Sequence, residues 1–222
     1  MAGISKANDE GADILGQVLT RPTGILLEFE ITMNLFSGRP SWEAIAKLPL
    51  AEKLVHLRDP ALRQCVMSET CAEEKLRKRV STYDRIFPWD GDVPDYEPPA
   101  EQSIAARASS EGRDPEDLVY EVLLEREGTL ILHRPLSNYA YGNLDTVGEM
   151  LPHPNTLVSL GDGGAHVGVL SDSTSMAYMV THWTRDRPRC ETVPLAWAIK
   201  RITDDNARAI GLHDWGRITA GN

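Results

Sequence analysis

The sequence predicts an α/β fold built around a parallel sheet. Short β-leaning runs alternate with amphipathic helical stretches along the chain. Three of those runs, Ile14–Leu19, Thr129–Arg134 and Leu157–Leu160, have the length and apolar content of buried parallel strands. The last of them breaks abruptly into Gly161-Asp-Gly-Gly-Ala-His166, an acid delivered at the carboxyl end of a strand. In α/β folds that end is where chemistry collects. Three strands are few for 222 residues, so much of the chain falls to helix and loop.

In chain order, Ser5 to Ala12 reads as the end of a helix stopped near Gly11, and Asp13 to Thr20 as a strand closed by Arg21-Pro22. Thr23 to Phe36 is apolar and β-leaning up to the Gly38-Arg39-Pro40 break. Ser41 is a candidate N-cap for a short helix through Lys47, with Glu43 in its first turn. A second helix is expected from Pro49 or Leu50 to Leu57. A third runs from Ala61 to Arg79, behind Pro60 at its first position. Between Tyr83 and Ala100, Pro88, Pro94, Pro98 and Pro99 leave no room for a regular element, so the stretch reads as a connector. Helices follow over Ser103–Ser109 and from Asp114-Pro115 to about Glu125. Then come the strand Thr129–Arg134, a helix over Leu144–Met150 and the strand Leu157–Leu160. The last elements are a helix from about Ser173 to Thr184, a helix over Pro194–Ile202 with Leu195, Ala198 and Ile199 on one face, and a final turn, Asn206–Ile210.

Composition narrows the classes of function. A formal net charge of -10 argues against a nucleic-acid partner and against an anionic membrane surface. The basic run Lys75–Arg79 follows Glu73-Glu74 and reads as the solvated face of a helix. No stretch of 18 apolar residues is present, so no membrane span is expected. Met1 to Glu10 is polar and acidic, unlike a secretory signal. Cys65, Cys71 and Cys190 make no disulfide framework, and a reduced, cytoplasmic protein is expected.

The residues able to carry chemistry are few. Asp162 could act as a general base, as a metal ligand, or as a turn residue capping the next segment. Gly161, Gly163 and Gly164 around it argue for a loop, with His166 four residues on. A dinucleotide fingerprint fails because His166 stands where its third glycine belongs, and no P-loop sequence occurs. Asp90, Asp92 and Glu101 match three positions of a calcium loop, but Pro94 and Asp95 occupy positions that need a ligand and a glycine. His133, inside a strand, and His182, in a helical run, read as structural histidines. His153 lies in the rigid turn Pro152-His-Pro154, and His56 and His213 have no partner in view.

Several segments taken together resemble the N-acyl-D-amino-acid deacylase group of the metal-dependent amidohydrolase superfamily. They are Gly161-Asp-Gly-Gly-Ala-His166 with Asp172, Tyr178 to Arg187, and Pro194 to Gly221. Gln17-Val-Leu-Thr-Arg21-Pro22 and Pro135-Leu-Ser-Asn-Tyr139 are similar to other segments of the same group. The resemblance implies a (β/α)8 barrel with its active site at the carboxyl ends of the strands. It also implies a zinc hydrolase in which Asp162, as metal ligand and catalytic acid–base, takes a proton from metal-bound water. Gly161, Gly163, Gly164 and His166 form the active-site loop in this reading. The implied substrate is a small-molecule N-acyl amino acid or related amide.

The chain also departs from that pattern. It contains no His-x-His, which opens the family's first strand, and no segment matches the middle strands' metal ligands. The expectation is therefore an α/β chain that is the C-terminal part of a TIM-barrel amidohydrolase, with the barrel incomplete. It divides into a late barrel strand and following segment over 1–36, a helical insertion over 37–128 with its Pro-rich connector at 83–100, and a last barrel strand, active-site loop and helices over 129–222. Such a chain is expected to be inactive without a missing N-terminal segment or self-association. The alternative is a non-catalytic remnant that binds or oligomerises.

Overall fold

The computed structural model describes residues 1–159, 168–170 and 173–220. In chain order the elements are α1 (Ala2–Asp9), β1 (Gly16–Leu19), β2 (Gly24–Leu27), α2 (Pro40–Glu43), α3 (Leu50–Leu57), α4 (Pro60–Ser68) and α5 (Glu74–Val80). Then follow β3 (Phe87–Pro88), α6 (Ile104–Glu111), α7 (Pro115–Gly128), β4 (Leu132–Pro135), α8 (Asp145–Met150) and β5 (Thr156–Ser159). The chain continues with α9 (Ser175–Thr181), α10 (Leu195–Ile202) and α11 (Asp204–Ala209). This is an α/β fold. Its described residues fall into two compact units, one of 1–22, 143–159 and 173–220, the other of 23–142 and 168–170.

The first unit is built on a parallel pair. Strands β1 and β5 run side by side with Gly16 opposite Thr156 and Leu19 opposite Ser159. Val18, Val147, Leu151, Val158, Met179, Trp183 and Ala198 are buried in this unit, each worth about 1.5–3 kcal/mol for the larger side chains. Helix α9 ends at Thr181 and gives way to a π-helical turn, His182–Asp186, where an uninterrupted helix to Thr184 is expected. On α10 only Ala198 of the expected apolar face is buried; Leu195 and Ile199 are exposed.

The second unit carries a three-stranded antiparallel sheet, β2-β4-β3. Here the expected parallel strand is corrected: β4 runs antiparallel to both neighbours, with Leu26 opposite His133 and Phe87 opposite His133 on the other side. An apolar run encodes burial, and its direction is set by what pairs with it. Pro88 closes β3 as a two-residue edge strand, so the proline-rich connector does supply one short element. On the far edge of β2, Leu26 N donates to Val169 O at 2.9 Å. The core beneath the sheet joins Leu27, Phe29, Phe36, Leu57, Ile86, Ile104, Tyr120, Leu123 and Leu132. Among the described residues the strands form these two sheets and no closed barrel.

Two helix boundaries in this unit differ from expectation because tertiary contacts override local signals. Ser41 lies inside the first turn of α2, which Arg39 precedes, and its backbone and hydroxyl both donate to the Glu69 carboxylate at 2.8 and 2.6 Å. That same Glu69 is extended and ends α4, so the single helix expected over 61–79 becomes two. Buried Cys71 then fills the space beside Gly38, where a Cβ would lie 2.5 Å from its sulfur.

Candidate functional site

Parallel pairing puts the carboxyl ends of β1 and β5 at the same end of their sheet. Asp162 follows Ser159, the last residue of β5, by three positions. Gly161, Asp162, Gly163, Gly164 and His166 all lie outside the described residues. The surroundings of the site are therefore built from what flanks them in the first unit.

Where β1 ends, Thr20 is fully buried. Its hydroxyl lies 2.6 Å from Ser175 O, to which it donates, and 2.9 Å from Ser175 Oγ. The Thr20 carbonyl accepts from the Trp183 indole at 2.7 Å. The next residue, Arg21, is also buried, with Nη1 donating to Pro22 O at 2.8 Å. The Arg187 guanidinium covers the Trp183 ring at 4.7 Å and donates to Asp145 at 2.6 Å, and Arg189 reaches the other Asp145 oxygen at 3.2 Å. Gly148 admits Trp183 closely: a Cβ there would lie 3.2 Å from the indole.

Chemically this lattice is a scaffold. Hydrogen bonds from Arg189 and Arg187 hold the Asp145 carboxyl below the ordinary carboxylate range. A carboxylate so held stays charged and anchors its arginines; it is a poor proton acceptor near neutral pH. Beside β5 opens a groove of about 790 Å³, lined by Val158, Ser159, Met176, Asn206, Ile210 and Trp215 among others. Its walls are largely apolar, and it passes Ser159.

Among the described residues no group of three or more His, Cys, Asp or Glu side chains could hold a metal ion. These residues alone do not fit the zinc that the resemblance implies. The described histidines sit elsewhere. His133 is fully buried, its ring stacked on Trp89 at 4.9 Å and edge-on to Tyr96 at 5.7 Å. His182 stacks on Tyr178 at 4.3 Å. His153 Nδ1 accepts from Asn155 N at 3.1 Å, inside its Pro-flanked turn.

Sequence reasoning missed the scaffold of Thr20, Ser175, Trp183 and Arg187. Arg21-Pro22 was legible as a strand terminator, but an arginine in that place gives no sign that it is buried. The one available signal was Thr20 itself, a small hydroxyl residue closing an apolar strand. Comparison with known proteins adds no relative: no family model matches the chain, and no curated protein or solved structure matches it.

Proposed function

We propose that the chain is the C-terminal part of a metal-dependent amidohydrolase of the deacylase type, hydrolysing the amide of N-acyl amino acids. Asp162 is its proton-transfer residue, on the loop Gly161-Asp-Gly-Gly-Ala-His166. The observation that carries this reading is the parallel pairing of β1 with β5 across a long intervening segment. A two-stranded parallel sheet standing alone is unusual, because parallel strands are ordinarily buried within larger sheets. Such a pair is what two adjacent strands of a (β/α)8 barrel supply, and the reading puts Asp162 just past the second of them. The groove beside Ser159 has the size and lining to take an acyl chain.

The described residues offer zinc no donor set. In this reading the remaining ligands come, with Asp162, from a completing segment in the same or a partner polypeptide. The 222-residue chain is then inactive alone.

The test compares this chain with one extended upstream in its own reading frame, assayed for metal content and for hydrolysis of a panel of N-acyl amino acids. We expect turnover only from the extended chain, lowered about 10²–10⁴-fold by Asp162→Asn. Turnover by the 222-residue chain alone, or indifference to Asp162→Asn, overturns the reading. A second reading, a non-catalytic binding or oligomerisation module, is favoured by the exposure of Leu195, Ile199, Ile210 and Trp215. It gains ground if the extended chain neither binds metal nor turns over any substrate.

A further inference from the structure

The parallel pair has an edge that side chains occupy. Gly16 stands opposite Thr156 and donates its N–H to Asn155 O at 2.9 Å. In a parallel ladder successive residues face opposite sides, so the backbone groups of Asn155, Leu157 and Ser159 face β1. Those of Thr156 and Val158 point away, toward the edge where a third strand would add. Both outward carbonyls are taken. Thr156 O accepts from Arg201 Nη2 at 2.7 Å, and Val158 O accepts from Asn206 Nδ2 at 2.9 Å. The outward Thr156 N–H is used as well, donating to His153 O at 3.1 Å.

The two side chains are firmly held. Arg201 is 9% exposed, and the same Nη2 reaches Leu151 O and Thr156 Oγ1, both at 3.0 Å. Its Nη1 donates to Asp205 at 3.0 Å. Asp205 in turn takes Lys200, so α10 and α11 are tied together behind the guanidinium. Asn206 sits one residue beyond Asp205, on α11. Strands add to a sheet through backbone groups left unpaired, and an edge whose carbonyls are already capped offers a poor template.

We propose that Arg201 and Asn206 close the β5 edge against strand addition by a second copy of this chain. The inference goes beyond the hydrolase reading and concerns the chain without its completing segment, because a first barrel strand added beside β5 would have to displace both caps. It acts at the residue where a single carbonyl is released. Asn206→Leu is close to isosteric and lacks the donor; Asn206→Asp keeps size and polarity but, ionised, cannot donate to Val158 O.

Sedimentation velocity on folded variants, alongside hydrogen exchange of the 156–159 amides, reads the outcome. Relative to the wild-type chain, both variants are expected to associate as concentration rises, with weight-average mass moving toward twice the wild-type value. The Val158 amide slows in the associated species by about tenfold or more. Unchanged mass, or association with no new protection over 156–159, overturns the proposal. Should both variants lose their fold, the wild-type chain decides: the Asn206 side-chain amide must exchange more slowly than that of exposed Gln64. Equal exchange rates overturn the cap.

Discussion

At Gly24 one added methyl group meets two obstacles. An ideal Cβ there would lie 2.2 Å from His133 Nε2 and 2.6 Å from Arg134 O, and the second is backbone that cannot swing aside. Gly24→Ala is therefore expected to lower stability by about 1–3 kcal/mol, measured as a fall in the urea midpoint at constant m-value. Residues of this kind were only partly legible in the sequence. His133 could be placed in a strand, but its ring partners Trp89 and Tyr96 come from the proline-rich stretch 83–100, whose composition announces only irregularity. Asp162 stands out in the sequence as a candidate because glycine surrounds it after an apolar run, and it lies outside the described residues. Thr20 and Ser175 were not, because no spacing rule joins residues 155 positions apart.

Among the elements, those bounded by local chemistry were the readable ones. Asp114 accepts from Glu116 N at 2.8 Å and Asp117 N at 3.3 Å, Ser103 accepts from Ala106 N, and Asp59 accepts from Ala61 N ahead of α4. Each is a cap within a few residues of the helix it starts. The far end of α7 was legible too: regular geometry ends at Leu124, since Glu125 is extended and Arg126 and Glu127 have φ of 49° and 55°. Asp114→Ala is expected to cost about 1 kcal/mol, read as a lower thermal midpoint with α6 and the sheet intact. The elements that escaped were settled by distant partners. Glu69 breaks a helix in order to bind Ser41, β4 takes its direction from β2 and β3, and the five-residue π turn after α9 seats Trp183 against the Thr20 carbonyl.

Over the whole molecule, charge links folding to pH. Arg63 and then Arg113 hold the Asp117 carboxyl below its ordinary value, and Arg113 and then Arg63 do the same for Glu121. Glu69 is lowered by the Ser41 hydroxyl and backbone, and at Asp205 burial is outweighed by hydrogen bonds from Lys200 and Arg201. Each of these groups binds its proton less readily when folded. Its contribution is complete above the unfolded value of about 4 and is lost as pH falls through the lower folded value. Glu28 opposes them: burial raises its carboxyl, so it favours the folded state more as pH falls. The depressed groups outnumber it, and the urea midpoint is expected to hold from about pH 7 to pH 5 and to drop below about pH 4. Concentrated salt should shrink that drop, because the Arg63 and Arg113 pairs are partly exposed. The discontinuous first unit sets a schedule as well. Residues 23–142, all of the second unit's described residues but 168–170, are one run that can fold as it emerges from the ribosome, whereas Thr20 must wait for Ser175, 155 positions later, and for Trp183, 163 positions later. At roughly 5–20 residues synthesised per second that wait is on the order of 8–30 s. For that interval β1 is nascent chain without its partner strand, made before residues 23–142 yet paired only after them.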